Sequence, residues 1–268
     1  MAIVVGDIHG DLEMARSFLA YRPEEVHVAL GDLVDSRKKI AHEEECLDLL
    51  LQSSAVLIWG NHDLAYLPER PWRCFGNFGE WAFREKYQSN RGRFTAAYAV
   101  DGWLCTHAGV SQHVARLMPA EIISDGAEAI ANWVNVEFTK QLQIKDPDVV
   151  VGVPRYGFGP LFQIPLCRGG YNAFGGVFWC DFDGEQTQPA PAVGKQIFGH
   201  SPVPYPDRGN SFVLDDGEVR EGPPWINMNA IEDGVWVYDT KTDAIVDVRS
   251  GVYNNTEKQE LADLRCRK

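Results

Sequence analysis

Residue types that bind metal ions recur in five short segments of the sequence. Each segment joins glycine to aspartate, asparagine or histidine, and each follows a short apolar run: Gly6-Asp7-Ile8-His9-Gly10, Gly31-Asp32-Leu33-Val34-Asp35, Gly60-Asn61-His62-Asp63, Thr106-His107-Ala108-Gly109 and Gly199-His200-Ser201-Pro202. Carboxylate, imidazole and amide ligands together suit a pair of divalent ions such as Mn²⁺, Fe or Zn²⁺, whereas a structural zinc site usually contains thiolates. Glycine beside a ligand lets the backbone approach the ion closely. The five segments therefore predict a metal centre.

The apolar runs before these segments read as β-strands, and their order indicates an α/β fold. In the first hundred residues, β-branched runs at 2–5, 26–30 and 55–59 alternate with helical patterns at 12–20 and 40–51. That alternation is typical of βαβ units in a mostly parallel sheet. Further strands are predicted at 94–100, 103–106, 196–198, 211–214, 234–238 and 244–248. The pattern predicts two mixed β-sheets packed face to face and flanked by helices.

Between the two strand-rich halves the sequence changes character. Residues 127–145 have the pattern of one long amphipathic helix, and 153–179 are dense in glycine, proline and aromatic residues. Such a composition is typical of an ordered loop region over a site, although a crossover that only covers a sheet edge has the same signature. We expect a single domain over 1–268, in which 119–194 shapes a substrate cleft.

Composition excludes several function classes. The formal net charge of −13 and the absence of a long Lys/Arg cluster argue against binding to a nucleic-acid duplex. The sequence contains no apolar run long enough to cross a bilayer, and its six cysteines are scattered without a C-x-x-C pair. We therefore expect a soluble, cytoplasmic protein with mostly reduced thiols and no membrane partner. The oligomeric state stays open.

The motif order G-D-x-H-G, G-D-x-V-D, G-N-H-D, H-A-G and G-H resembles the calcineurin-like metallophosphoesterases, and specifically their phosphoprotein phosphatase branch of bacterial and phage type. The resemblance covers about residues 1–110 and 195–240. It implies the α/β/β/α sandwich of that family and a cofactor of two divalent metal ions, with Mn²⁺ expected and Fe or Zn²⁺ as alternatives.

The resemblance also assigns ligands. It implies Asp7 and His9 on the first metal, Asp32 as a bridge between both metals, and Asn61, His107 and His200 on the second. Many other branches of the superfamily end in G-H-x-H, but here Pro202 takes the place of the last histidine. The first ion would then have fewer protein ligands and more water, as in the phosphoprotein phosphatase branch.

Two further residues acquire catalytic roles through the same resemblance. His62 is implied as the general acid that protonates the leaving oxygen, and Asp35 would orient its ring and raise its basicity. The alternative for Asp35 is an N-cap or turn residue. His27, His42 and His113 lie outside the motifs and are interpreted as packed or solvated side chains.

The phosphate-binding arginine is ambiguous. Ser36 stands where the family usually has arginine after G-D-x-V-D, and Arg37 follows it. Arg155 and Arg168, in the glycine-rich and aromatic region, are the other candidates to grip a phosphate through a planar guanidinium. Each of the three arginines is equally well a solvated surface cation.

These inferences predict a dinuclear metal-dependent phosphomonoesterase, with a phosphorylated protein or a small phosphoester as substrate and serine/threonine phosphatase as the specific activity. A diadenosine tetraphosphate hydrolase is the alternative, although Asp35 stands where the resemblance to those enzymes would require alanine. A non-catalytic scaffold that binds a phosphorylated partner is a second alternative, because the fold by itself does not determine function.

Overall fold

The structure, a computed structural model, describes residues 1–36, 42–69, 81–147, 154–213, 217–249 and 251–252. Its strands in chain order are β1 (Ala2–Val5), β2 (Val26–Ala29), β3 (Val56–Ile58), β4 (Phe94–Thr95), β5 (Ala97–Val100), β6 (Trp103–Thr106), β7 (Lys195–Phe198), β8 (Asp207–Val213), β9 (Val219–Asn227), β10 (Trp236–Asp239), β11 (Ala244–Asp247) and β12 (Gly251–Val252). Its helices are α1 (Leu12–Ala20), α2 (Glu43–Gln52), α3 (Asn61–Leu64), α4 (Trp81–Ser89), α5 (Gln112–Ala115), α6 (Ala120–Ser124) and α7 (Ala127–Gln141).

The strands form two mixed sheets. The first has the order β12-β11-β10-β1-β2-β3-β4, with β1 to β4 parallel and β10 to β12 antiparallel. The second has the order β5-β6-β7-β9-β8, and its three central strands are parallel. Parallel strands end at the same edge of a sheet, so the loops that follow them share one face of the molecule.

Side chains of β1 divide between two cores because successive residues of a strand point to opposite faces. Ala2 and Val4 belong to a core that includes residues of both sheets, and Ile3 and Val5 belong to the core that Phe18 of α1 joins. Both faces of β1 are fully buried. The structure thus confirms the prediction of two packed mixed sheets with helices outside.

The predicted strand at 94–100 is wrong as one element. Its first part, β4, belongs to the first sheet, and its second part, β5, belongs to the second sheet. Asn135 of α7 stabilises the crossing, because its Oδ1 accepts the backbone N–H groups of Ala96 (2.8 Å) and Ala97 (3.1 Å). A hydrophobic pattern shows that residues are buried but does not show which sheet they join.

Strand β9 was not expected from the sequence, because it contains Gly222, Pro223 and Pro224. Proline cannot donate to a ladder and is confined to edges or irregularities of sheets. Here Glu221 and Trp225 pair with β8 on either side of a register shift, and the two prolines lie between them. The chain therefore places its prolines where the ladder is interrupted.

The helix predicted at 127–145 ends at Gln141. Beyond it, the structure contains a stretch that we call the aromatic segment, residues 154–180. Within this segment the chain forms loops and two short 3₁₀ turns, Pro160–Phe162 and Leu166–Arg168, as the glycine- and proline-rich composition predicts. Helix α4 was not predicted.

Two further observations bear on the composition-based expectations. Cys46, Cys105 and Cys180 are buried free thiols, whereas Cys167 is an exposed one. No helix in the described part of the chain combines the length and apolarity that a bilayer span requires.

Candidate metal centre

The six predicted metal ligands converge at the carboxyl ends of five strands. Short loops after parallel strands carry them, so sheet pairing fixes their starting points. Asp7 and His9 follow β1, Asp32 follows β2, Asn61 begins α3 after β3, His107 follows β6 and His200 follows β7. The two sheets thus bring the predicted ligands to one site.

The ligands form two groups that share Asp32. Asp7, His9 and Asp32 form one group, and Asp32, His107 and His200 form the other, with candidate ligand atoms of each group within 4.8 Å of one another. His9 Nε2 lies 3.9 Å from Asp32 Oδ2, and His107 Nε2 lies 3.6 Å from the same oxygen. One carboxylate oxygen therefore faces both groups, as a bridging ligand must.

Asn61 joins the second group through its side-chain oxygen. Its Oδ1 lies 2.8 Å from His107 Nε2 and 2.9 Å from His200 Nδ1, and these two nitrogens are 3.1 Å apart. His107 Nδ1 donates to the carbonyl of Leu30 (2.8 Å), so Nε2 of a neutral ring presents a lone pair. A cation among these atoms satisfies acceptors that otherwise face one another, and the donor set fits a divalent ion of borderline hardness.

Burial keeps the second group ready to coordinate a cation. His200 is buried, and burial lowers the pKa of its imidazole well below the usual value, so the ring is neutral and its Nδ1 can coordinate. Its Nε2 is also buried and has no hydrogen-bond partner among the described residues. In the first group, His9 Nδ1 donates to the carbonyl of Val34 (3.0 Å), which leaves Nε2 facing Asp7 and Asp32.

The two carboxylates of the centre differ electrostatically. Burial raises the pKa of Asp7. Burial also acts to raise the pKa of Asp32, but the surrounding histidines, with His107 first, outweigh it and lower the value. Asp32 is therefore ionised at the position where one negative charge would face two cations.

The backbone at the site is held in conformations that side chains disfavour. Four predicted site residues have positive φ: His9 (47°), Asp32 (51°), Asp35 (67°) and His200 (67°). The described chain contains eight non-glycine residues of this kind, so half of them lie at one site. Such conformations cost about 1–3 kcal/mol each and persist where the surroundings impose them.

At two motif glycines, Gly60 and Gly199, the neighbouring loop leaves no room for a side chain. A Cβ at Gly60 would lie 2.2 Å from Asp32 Oδ1, and a Cβ at Gly199 would lie 2.3 Å from Asp7 Oδ1. Both distances are shorter than any non-bonded contact that a Cβ atom makes in real proteins. Each glycine thus lets one loop pack directly on the carboxylate of another.

His62 and Asp35 form a pair beside the first group. His62 Nδ1 lies 3.1 Å from Asp35 Oδ2, and the other oxygen of Asp35 accepts a hydrogen bond from Tyr66. The rings of His62 and His9 pack in a T-shaped arrangement, with their centroids 5.2 Å apart. Burial acts to lower the pKa of His62, but the negative charge of Asp32 and the hydrogen bond that His62 donates to Asp35 outweigh burial and raise the pKa to about 9. Both carboxylates thus favour the protonated ring.

Two residues that sequence reasoning missed hold the ligands in place. Asp63 is fully buried and accepts the backbone N–H groups of Asp32 (2.8 Å), Leu33 (2.9 Å) and Gly60 (2.9 Å), so it ties the β2 and β3 loops together. Asn229 Nδ2 lies 2.8 Å from Asp7 Oδ2 and 2.8 Å from the His200 carbonyl, and donates to both. Asp63 stands in a quoted motif, whereas Asn229 follows the unexpected strand β9.

The three candidate arginines lie in different places. Arg168 Nη2 donates to Ser201 Oγ (3.3 Å), beside His200, and its Nε is 2.6 Å from Asp181 Oδ2. Its charge also acts on His200, whose pKa it helps to lower. Arg155 forms an ion pair with Asp146 (3.2 Å) instead. Arg37 lies outside the described residues.

The histidines outside the motifs have local partners. Both ring nitrogens of His27 lie 3.0 Å from backbone carbonyls, those of Glu25 and Tyr21. His113 Nε2 lies 3.1 Å from Gln163 Oε1, and its ring stacks on Phe174. These placements agree with the interpretation of His27 and His113 as packed side chains.

Comparison with known proteins adds a family and a fold. A family model described as calcineurin-like phosphoesterase matches residues 2–231. The structure of a cold-active protein-tyrosine phosphatase from a psychrophilic Shewanella species superimposes with a TM-score of 0.53 at 12% identity, over 91% of this chain and 76% of that one. A metallophosphoesterase from Sphaerobacter thermophilus gives a TM-score of 0.38 at 14% identity, over 90% and 84%. No curated protein sequence matches this chain significantly.

Proposed function

We propose, from the premise that this chain belongs to the calcineurin-like phosphoesterases, that it is a dinuclear metal-dependent phosphomonoesterase acting on phosphoserine and phosphothreonine in proteins. The observation that carries the proposal is the pair of ligand groups that share Asp32, with His62 and Asp35 beside them. A metal centre alone would serve many phosphoesterases. The general acid His62, beside the ligand groups, narrows the range of phosphoesters that the site would cleave well.

The metal ions would be held by this chain's own side chains. Asp7, His9 and Asp32 would bind one ion, and Asp32, Asn61, His107 and His200 would bind the other. A bound pair of divalent ions supplies charge neutralisation of the phosphoryl group and activation of the attacking water. Asp63 ties the ligand loops together, and Asn229 holds the Asp7 carboxylate in position.

His62 supports the reaction as a proton donor. Its Nδ1 is held by Asp35, so Nε2 is left to donate its proton to the leaving oxygen. Asp35 acts on the ring through its orientation and charge and does not touch the substrate. Arg168, beside His200, is the described arginine best placed to orient the phosphate with its guanidinium.

The acid favours alkyl phosphates over anhydrides. The alkoxide released from serine or threonine is a poor leaving group that needs a proton in the transition state, whereas a nucleotide phosphate leaves readily without one. An enzyme that cleaves diadenosine tetraphosphate gains little from a buried His–Asp pair. The pair therefore supports a phosphoserine or phosphothreonine substrate. The Shewanella protein of similar fold is described as a protein-tyrosine phosphatase, so phosphotyrosine belongs in the test.

The test is a substrate panel with Mn²⁺-loaded protein. Phosphoserine, phosphothreonine and phosphotyrosine peptides, diadenosine tetraphosphate and a bis-aryl phosphate are compared by kcat/KM, beside the Asp32→Asn variant as a metal-site control. We expect the phosphoserine and phosphothreonine peptides to be hydrolysed fastest relative to their uncatalysed rates. Preferred cleavage of diadenosine tetraphosphate would overturn the proposed substrate, and no turnover of any ester would overturn the proposed activity.

A further inference from the structure

The aromatic segment encloses a cavity that the proposed reaction does not use. Its volume is about 530 Å³, within the range of clefts that bind small ligands. Among the described residues, four aromatic side chains line it: Tyr156, Phe158, Phe162 and Tyr171. Arg155 and Asp146, which form an ion pair, also line it.

One part of the cavity lining belongs to the loop that carries Arg168. Ile164, Gly170, Tyr171 and Asn172 make up this part of the lining, and they form the two arms of a tight loop in which Leu166 N–H donates to the Asn172 carbonyl (2.9 Å). The tip of the loop carries Arg168, which reaches Ser201 beside His200. These lining residues and Arg168 therefore belong to one hydrogen-bonded loop.

Another lining residue is tied to the segment that follows the acid. Tyr156 N–H donates to the carbonyl of Glu69 (2.9 Å), and Glu69 lies five residues after the end of α3, the helix that carries His62. The cavity lining is thus joined both to the segment that follows α3 and to the loop that bears Arg168.

Two of the rings that line the cavity are exposed to solvent. Phe158 is 50% exposed and Tyr171 is 84% exposed. Exposed rings lose the free energy that burial would provide, about 25 cal/mol per Å² of apolar surface. Aromatic rings also prefer other aromatic rings over aliphatic groups, because edge and face carry opposite partial charge.

We propose that this cavity binds an aromatic side chain of a phosphopeptide, close in sequence to the phosphorylated residue. The proposal rests on the proposed function, since it names a specificity pocket for that reaction. The peptide's phosphate would lie at the metal ligands beside Arg168, and its aromatic ring would stack among Tyr156, Phe158, Phe162 and Tyr171. A nucleobase has the same planar chemistry and is the competing occupant that the test separates.

The experiment is a position scan. A set of phosphoserine peptides carries a single Phe stepped from four residues before to four residues after the phosphoserine, and a matched set carries cyclohexylalanine, which keeps the size and removes the π face. The leaving oxygen is identical throughout, so chemistry at the phosphate is constant. At one or two positions we expect Phe to raise kcat/KM about tenfold over cyclohexylalanine, mainly through KM.

Two variants and a matched control locate the effect. Phe158→Ala and Tyr171→Ala change exposed side chains and should abolish the preference for Phe while leaving a peptide without aromatic residues unaffected. Leu166→Ala is the control, because Leu166 is 68% exposed on the same loop and does not line the cavity. This variant should keep the full preference.

Binding without turnover provides a readout independent of the metal centre. The dephosphorylated Phe peptide should show saturation-transfer NMR signals from its ring with metal-free protein, and Phe158→Ala should remove them. Equal rates for Phe and cyclohexylalanine at every position, or an unchanged preference in both cavity variants, would overturn the proposal while phosphatase activity persists. A preference of adenosine 5′-monophosphate over ribose 5-phosphate, lost in Phe158→Ala, would assign the cavity to a nucleobase and also overturn it. Absence of all hydrolysis with NMR binding intact would instead count against the proposed function alone.

Discussion

The loops at the strand ends and the aromatic segment differ in how they are held. The ligand loops are short, begin at sheet strands and are cross-linked by buried groups such as Asp63, which binds three backbone N–H groups. The aromatic segment has no sheet strand in its described residues and is held by core side chains such as Leu161 and Phe178 and by loop hydrogen bonds such as that from Tyr156 N–H to the Glu69 carbonyl. Two of its rings, those of Phe158 and Tyr171, are exposed.

This difference separates two tasks. A metal centre requires fixed ligand positions, and positive-φ residues at Asp32 and His200 show that packing overrides local preference there. Substrate discrimination requires a surface that fits a variable group, and loops provide it. Changes in the ligand loops should therefore abolish chemistry for every substrate, whereas changes in the side chains that line the cavity should alter selectivity.

The largest expected effect is at Asp32. Asp32→Asn removes the charge shared by both ligand groups, so metal content should fall below two ions per chain and activity should drop by several orders of magnitude on all esters. Metal analysis of the purified protein together with aryl phosphate turnover checks this. Full activity with two bound ions would contradict the bridging role.

The second effect depends on the leaving group and lies within the ligand-loop region. His62→Asn should keep both metals, lower the rate on a phosphoserine peptide by about 10² to 10⁴-fold, and cost much less on an activated aryl ester, because a nitrophenolate hardly needs a proton. The parent's rate on the peptide should also fall as pH rises through the pKa of His62, since the acid loses its proton. Asp35→Asn should show the same pattern more weakly.

His107→Asn is the matched comparison for His62→Asn. It removes a ligand nitrogen of the second group, so metal should be lost and both ester types should fail alike. Equal damage to both esters in His62→Asn, or an emptied metal site, would make His62 a ligand or structural residue.

A smaller effect is expected in the aromatic segment. Arg168→Ala should lower kcat/KM by an amount that corresponds to about 2–3 kcal/mol of lost transition-state stabilisation, the usual contribution of a charge-assisted hydrogen bond. Arg168→Lys should restore only part of this stabilisation, because lysine lacks the planar guanidinium with its two parallel donors. Arg155→Ala should leave the phosphate interaction unchanged, because the Arg155 guanidinium forms an ion pair with Asp146 (3.2 Å). Parent-like kinetics of Arg168→Ala would mean that the metal ions alone hold the phosphate.

The smallest effect on activity is expected at Asn135, which lies in neither region. Asn135→Ala leaves the buried N–H groups of Ala96 and Ala97 without their acceptor, so the free energy of unfolding should fall by about 1–3 kcal/mol. Denaturant midpoints measure the loss. Activity per folded molecule should equal the parent's, and a fall as deep as that of Asp32→Asn would show that the two sheets, and not the ligand loops, limit the chemistry.

The contrast between the ligand loops and the aromatic segment also explains which features could be predicted from the sequence. Asp7, Asp32 and His107 stand directly after apolar strand patterns, and sheet geometry then brings strand ends together, so their meeting could be predicted. Their roles as ligands stay a prediction. Asn229 could not be found, because the strand before it is disguised by Pro223 and Pro224.

Arg155 and Arg168 also could not be separated from sequence. Both stand in similar glycine-rich surroundings, and only the tertiary contacts to Asp146 and Ser201 distinguish them. The split of 94–100 between two sheets has the same origin, because burial pattern carries no information on which neighbour a strand selects.

The position of β1 in its sheet has a consequence for biosynthesis. β1 lies between β2 and β10, so one of its edges pairs with the strand at residues 236–239. At about 5–20 residues per second, a nascent chain would wait roughly 10 to 50 seconds between translating these two strands. During that interval the backbone N–H and C=O groups on one edge of β1 would lack their partner strand, and Asp7 would lack both Asn229 and His200. The first sheet and the hydrogen bonds of Asp7 can therefore be completed only after residues 236–239 have been made.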